Sequence, residues 1–156
     1  MTDSRESDLG AQTEVTTVSA LEVEQGNLAM AYIRVGQHFW HVQKQAHMAS
    51  VRRGWWNDTH TGESLIGKRN VPELLCLIHS EISEAMEGYR KDLMDSHLPN
   101  RKSIEVELAD AVIRIADLGE ALGLDIGEAL AEKMAYNDRR EDHDIKSRQA
   151  ANGKKF

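Results

Sequence analysis

Two pairs of acids stand at the spacing that sets carboxylates side by side on a helix: Glu81 with Glu84, and Glu107 with Asp110. On a helix of 3.6 residues per turn, residues three apart differ by about 60° around the axis. Leu74, Leu75, Ile78, Ile82, Ala85, Met86, Tyr89 and Leu93 mark the apolar face around the first pair. With Ile78 as zero, that face centres near about +20°, Glu81 falls at about -60° and Glu84 at about -120°. With Leu108 as zero in the second segment, the apolar centre is near about -20°, Glu107 at about -100° and Asp110 at about -160°. Each pair therefore flanks its core face on the same side. If the two helices pack antiparallel across the short turn Asp95 to Ser103, the four carboxylates converge at one end of a bundle.

Converging carboxylates repel one another, and partial burial raises their pKa values or recruits a cation. The matched cation is a hard divalent one, Mg²⁺ or, as a substitute, Mn²⁺. Metals held this way ligate phosphate oxygens, activate water and offset charge in phosphoryl-group hydrolysis. Residues 72 to 110 hold nine acids and four bases, a net of -5, so this surface meets a polyphosphate only through metal. Acids at i, i+3 are also commonplace on solvated helix faces, where they make weak ion pairs, and spacing alone leaves that reading open. Asp117 extends the second stripe; pairing with Arg114 is its expected role, and an outer metal ligand the alternative. Glu87 is expected in solvent.

Helices must position these groups, and the chain reads as all-α. It has 156 residues, one domain's worth, with two prolines and 5% aromatic residues against many Ala, Leu, Glu and Ile. Residues 1–18 are polar and read as a flexible N-terminal tail. From Ala20 to Arg53 apolar residues recur at helical spacings, with Gly26 and Gly36 arguing against one unbroken helix. Gly54 after Arg52 and Arg53 is a stop signal. Trp55 and Trp56 lead into a polar loop to Asn70. Pro72 opens a helix to about Leu93, Ile104 to Leu122 forms another that Gly123 closes, and Asp125 with Glu128 begins a last one. The domain then covers 19–142, followed by a polar basic tail over 143–156.

Composition excludes several classes. The net charge of -7 is the wrong sign for holding nucleic acid by charge. No apolar run approaches the roughly 20 residues that span a bilayer. No apolar leader follows Met1, so a cytoplasmic protein is expected. The lone Cys76 sits in the apolar run Leu74 to Ile78 and reads as a buried, inert thiol. P-loop, HExxH, GxSxG and ExxH patterns are all absent.

Trp55 and Trp56 could stack on a nucleobase, although adjacent tryptophans more often divide between core and surface. Trp40 beside Phe39 is expected in the core. His38 and His41 lie one turn apart without a third zinc ligand at a recognisable spacing. His47 reads as a surface histidine, with a place in a substrate pocket as the alternative. His79 lies near the acids, either supporting them or exposed.

The segment ELLCLIHSEISEAMEGYRKD, followed by EVELADAVIRIADLGEALGLD, resembles the MazG-like all-α nucleoside triphosphate pyrophosphatase superfamily, whose signature is EExxE, a spacer and ExxD. Glu81 and Glu84 match the second and third acids of the first block, and Glu107 and Asp110 match the second. Ser80 stands where the family often has the first glutamate. RRGWWND at Arg52 to Asp58 is similar to the basic, glycine and aromatic segment before the family's acid helix, which makes Arg53, Trp55 and Trp56 substrate-side candidates. KMAYNDRREDH resembles the family's Lys, Asn and Arg run. Lys133, Asn137 and Arg140 stand at i, i+4 and i+7, one face that could hold phosphates or a base edge, or be a plain surface stripe.

The resemblance implies a helical bundle of the four-helix type, assembled as a homodimer or homotetramer. It implies a Mg²⁺-dependent hydrolase of nucleotide metabolism that cleaves a nucleoside triphosphate to the monophosphate and pyrophosphate. The four acids would be its metal-binding and catalytic residues. The small core enclosed by a few amphipathic helices independently favours a homo-oligomer. The alternatives are a noncatalytic helical oligomerisation or regulatory module, and a pyrophosphohydrolase acting on other nucleotides such as alarmones.

Overall fold

The computed structural model describes residues 7–154, with side chains from residue 26 onward. Five α-helices follow in order: α1 Ser7–Arg52, α2 Val71–Arg90, α3 Ser103–Ala121, α4 Ile126–Asp138 and the short α5 Ile145–Gln149, with a 3-10 turn at Glu141–His143 before the last. Among the described residues there is no strand, only the isolated bridges Asn57 with Ser64 and Met94 with Lys102. The all-α expectation therefore holds. None of the described helices is long and apolar enough to cross a membrane.

The stop and start signals lie where the backbone uses them. Gly54 and Gly123 have φ of 79° and 68°, the left-handed conformation in which a side chain would be strained. Pro72 sits in the first turn of α2, where a missing N–H costs nothing. Asp125 Oδ1 accepts from Glu128 N at 2.8 Å, one half of the expected capping box. By contrast, α1 runs unbroken through Gly26 and Gly36. A helical glycine costs only about 1 kcal/mol, which a helix of this length absorbs. The same helix reaches back to Ser7, into the stretch 1–18 expected as a tail; residues 1–6 lie outside the described residues.

The chain divides into two compact units, one of Gln37–Ala129 and the other of Met1–Gly36 with Leu130–Phe156. In the first, α2 and α3 form an antiparallel hairpin. Its connection is tied by Leu93 N to Gly88 O at 3.0 Å, Ser103 N to Leu93 O at 3.0 Å and Asp95 N to Arg101 O at 3.0 Å. Buried Asp95 accepts from His97 N and Leu98 N through one oxygen, which closes the turn. The helices approach so closely at Gly88 that a Cβ there would stand 2.8 Å from Ser103 Cβ and 3.2 Å from Ile104 N.

The buried apolar residues of this unit are small apart from two: Ala85, Ala111 and Ala116, with Leu118 and Trp56. Gln43 is 2% exposed and binds the α3–α4 connection to α1, donating to Leu124 O at 2.7 Å and Glu120 Oε2 at 3.1 Å. Its Oε1 accepts from Ile126 N at 3.3 Å. Lys44 pairs with the same Glu120 at 2.5 Å.

Two apolar expectations are corrected. Cys76 is exposed, because the apolar run of α2 is covered on one side only and Leu75 and Cys76 face outward from it. Trp40 is 41% exposed; the Lys44 ammonium lies over its ring at 5.2 Å, so cation–π contact replaces core packing.

In the other unit, Tyr32 donates its hydroxyl to the Asp138 carboxylate. Tyr136 carries the Lys133 ammonium 4.6 Å from its centroid and the Arg140 guanidinium at 5.9 Å. Asp144 caps α5, accepting from Lys146 N and Ser147 N. The stretch 143–156, expected as a tail, thus holds the short helix α5.

Candidate metal centre

The antiparallel hairpin brings three of the four acids together. One carboxylate oxygen from each of Glu81, Glu84 and Glu107 lies within 4.8 Å of the other two. Ligands about 2.1 Å from one Mg²⁺ stand roughly 3 to 4 Å apart, so the donor set fits a hard divalent cation with little adjustment. Glu81 is buried, Glu107 half-buried and Glu84 exposed. The group thus has a desolvated floor and an open side, the form expected of a site that keeps positions for water and substrate.

The electrostatics agree with the geometry. Burial raises the Glu107 carboxyl above the usual carboxylate range, and the charges of Glu84 and Glu81 raise it further. Asp110 is also raised, first by burial and then by Glu81, with Arg114 partly offsetting the effect and Asp95 adding to it. Asp110 stands outside the three-carboxylate group but within its field. Among the described residues the cation on the cluster is Arg114, whose Nε donates to Glu81 Oε1 at 2.5 Å. This corrects the expected Arg114–Asp117 pair: the neighbouring helix offers Arg114 the buried Glu81, while Asp117 is taken by His47 and Trp56.

Asp117 serves a different network. Its Oδ1 accepts from Trp56 Nε1 at 2.8 Å and meets His47 Nδ1 at 2.7 Å. His47, expected at the surface, is only 14% exposed and stacks obliquely against Trp56 with ring centroids 5.6 Å apart. The adjacent tryptophans divide as anticipated, with Trp56 4% exposed and Trp55 67%. Both line a cavity of about 440 Å³ whose apolar wall is Leu74, Leu77, Ile113 and Leu118, and whose polar rim includes Asp110, Arg114 and Asp117. Asp110 and Arg114 therefore join the cavity to the acids.

Arg69, which the sequence did not single out, also lines the cavity. It donates to Trp55 O at 3.2 Å, and its guanidinium lies 5.6 Å from the Trp56 ring centroid. Arg53 is exposed and does not line it. Lys133, Asn137 and Arg140 belong to the other unit. There Arg140 chelates Asp142 through Nε and Nη2 at 2.9 and 2.5 Å, while Asn137 Oδ1 is buried without a hydrogen-bond partner among the described residues. His38, His41 and His79 are exposed, and none joins a cluster of metal-ligating groups among the described residues.

No protein-family model, curated protein or solved structure matches the chain.

Proposed function

We propose that the protein is a Mg²⁺-dependent nucleoside triphosphate pyrophosphohydrolase of the MazG-like type, active on a cytoplasmic nucleotide pool. The observation that carries this reading is the three-glutamate group of α2 and α3 opening beside a cavity with an exposed tryptophan face. Mg²⁺, or Mn²⁺ in its place, would supply Lewis acidity toward the phosphate oxygens and a lowered pKa for water. Glu81, Glu84 and Glu107 would hold it, with Asp110 in reach of the field they share.

The side chains divide the remaining work. Trp55 offers a ring face for the base in a cavity also lined by the apolar Leu74, Leu77 and Ile113. Arg114 and Arg69 bring positive charge to a cavity rim otherwise lined by Asp110 and Asp117. Glu84, the exposed member of the group, orients water for attack on the α-phosphorus and accepts its proton as the bond to the β-phosphate oxygen breaks and pyrophosphate leaves.

The assembly proposed is a homodimer or homotetramer. Leu75, Ile82, Met86 and Tyr89 of α2 are 46 to 73% exposed and share one face, and Leu108, Val112 and Ile115 of α3, with Leu122 at its C-cap, repeat the pattern at 38 to 46%. Monomers rarely leave apolar faces of this extent in water, and a second copy carries the complementary stripe.

The test is the Glu107→Gln variant in parallel with metal titration. Turnover should fall by about two orders of magnitude or more, and the thermal stabilisation by Mg²⁺ expected of the parent should be absent from the variant. Unchanged turnover in a folded variant would overturn the assignment. A parent protein that Mg²⁺ does not stabilise would point to a noncatalytic helical module.

A further inference from the structure

We infer that Asp117 sets base selectivity, making the cavity one for nucleotides whose base bears an exocyclic amino group, and against thymine and uracil. The inference rests on the nucleotide reading of the cavity but not on the hydrolytic step. Asp117 lies on the cavity wall together with Trp55, Trp56 and Arg69. Its Oδ1 is occupied by two donors on one side, Trp56 Nε1 at 2.8 Å and His47 Nδ1 at 2.7 Å. Both partners are well buried, and the Asp117 side chain itself is 17% exposed. The carboxylate is therefore fixed in one orientation, and its Oδ2 accepts no hydrogen bond from any described residue.

A carboxylate oxygen is an acceptor only. Held among the residues that line the cavity, beside Trp55 and Trp56, it favours a base edge that presents N–H donors. Cytosine N4, adenine N6 and guanine N1 and N2 present them. The one Watson–Crick donor of thymine or uracil, N3–H, is flanked by two carbonyl oxygens whose lone pairs would face the carboxylate. Arg114 is engaged on Glu81 and does not compete with a ligand for Asp117. Discrimination against a base that turns carbonyl oxygens toward the carboxylate instead of donors is expected to reach about tenfold in Kd.

The experiment uses the full-length protein in Mg²⁺ and follows tryptophan fluorescence during titration with α,β-methylene deoxynucleoside triphosphates, which bind without turnover. The expected result is quenching by the adenine, cytosine and guanine compounds with Kd values about tenfold below those of the thymine and uracil compounds. Asp117→Asn keeps an acceptor for Trp56 and places an amide donor at the cavity wall, so the preference should shift toward thymine and uracil. Equal Kd values across the five bases would overturn the inference, as would the absence of binding by any of them. If the Asn variant does not fold, the parent panel decides alone. Discriminating binding without hydrolysis of the natural triphosphates would reject the hydrolase and leave the base selection standing.

Discussion

The Arg114–Glu81 contact ties the stability of the metal-free protein to the metal-bound state. Arg114→Ala removes the guanidinium that meets Glu81 at 2.5 Å, while the Glu81 side chain remains only 8% exposed. Stranding one partner of a fully buried pair costs about 3 to 5 kcal/mol. Arg114 is 44% exposed, so solvent already screens part of the interaction, and about 2 kcal/mol is the reasonable expectation. For a chain of this size that corresponds to a fall in Tm of roughly 4 to 8 °C. In EDTA the variant should show that deficit. With saturating Mg²⁺ the deficit should shrink, because a divalent cation on the glutamates compensates Glu81 in place of the guanidinium. Thermal melts at fixed protomer concentration, with and without metal, measure both values. A deficit of equal size in EDTA and in Mg²⁺ would refute the idea that guanidinium and metal serve the same carboxylates.

Glu107→Gln should leave the metal-free Tm equal or higher, since it removes a carboxylate that burial and its neighbours destabilise, and this is read from the same melts in EDTA. The metal-free protein should lose stability as pH rises above about 4.5, because Glu107 and Asp110, raised in the fold, still bind protons that the unfolded chain has released. Below about pH 4 the trend should reverse, as Asp58 and Glu120, whose values are lowered in the fold by their hydrogen bonds, take up protons. A Tm in EDTA that climbs steadily to pH 7 would contradict the assignment. Gly88→Ala should lower stability by about 1 to 2 kcal/mol in a denaturant titration despite the better helix propensity of alanine, because the new Cβ meets Ser103 Cβ at 2.8 Å.

Local rules made the helices and the acid pairs legible. Period, proline placement and the stop glycines at Gly54 and Gly123 mark elements whose ends are fixed by nearest-neighbour chemistry. Because Glu81, Glu84 and Glu107 flank their apolar stripes on the same side, a hairpin across the turn at Asp95 was enough to bring them together. What stayed hidden depends on contacts far apart in the chain. Helical spacing pairs Arg114 with its own-helix neighbour Asp117, yet its partner lies on α2, and Asp117 is held by His47 and Trp56, which are 70 and 61 residues away. Arg69 carries no spacing signal, since it reaches the cavity from an irregular loop. No spacing in the sequence marks Gln43, and only the α3–α4 connection folding over it makes it buried.

The central claim is best tested by product analysis of a panel of ribo- and deoxynucleoside triphosphates incubated with the protein in Mg²⁺ and in EDTA, resolving pyrophosphate from orthophosphate. The account predicts nucleoside monophosphate and pyrophosphate in equal amounts, formed only with metal. Release of orthophosphate in place of pyrophosphate, or no product at all from a folded protein with Mg²⁺ bound, would contradict it.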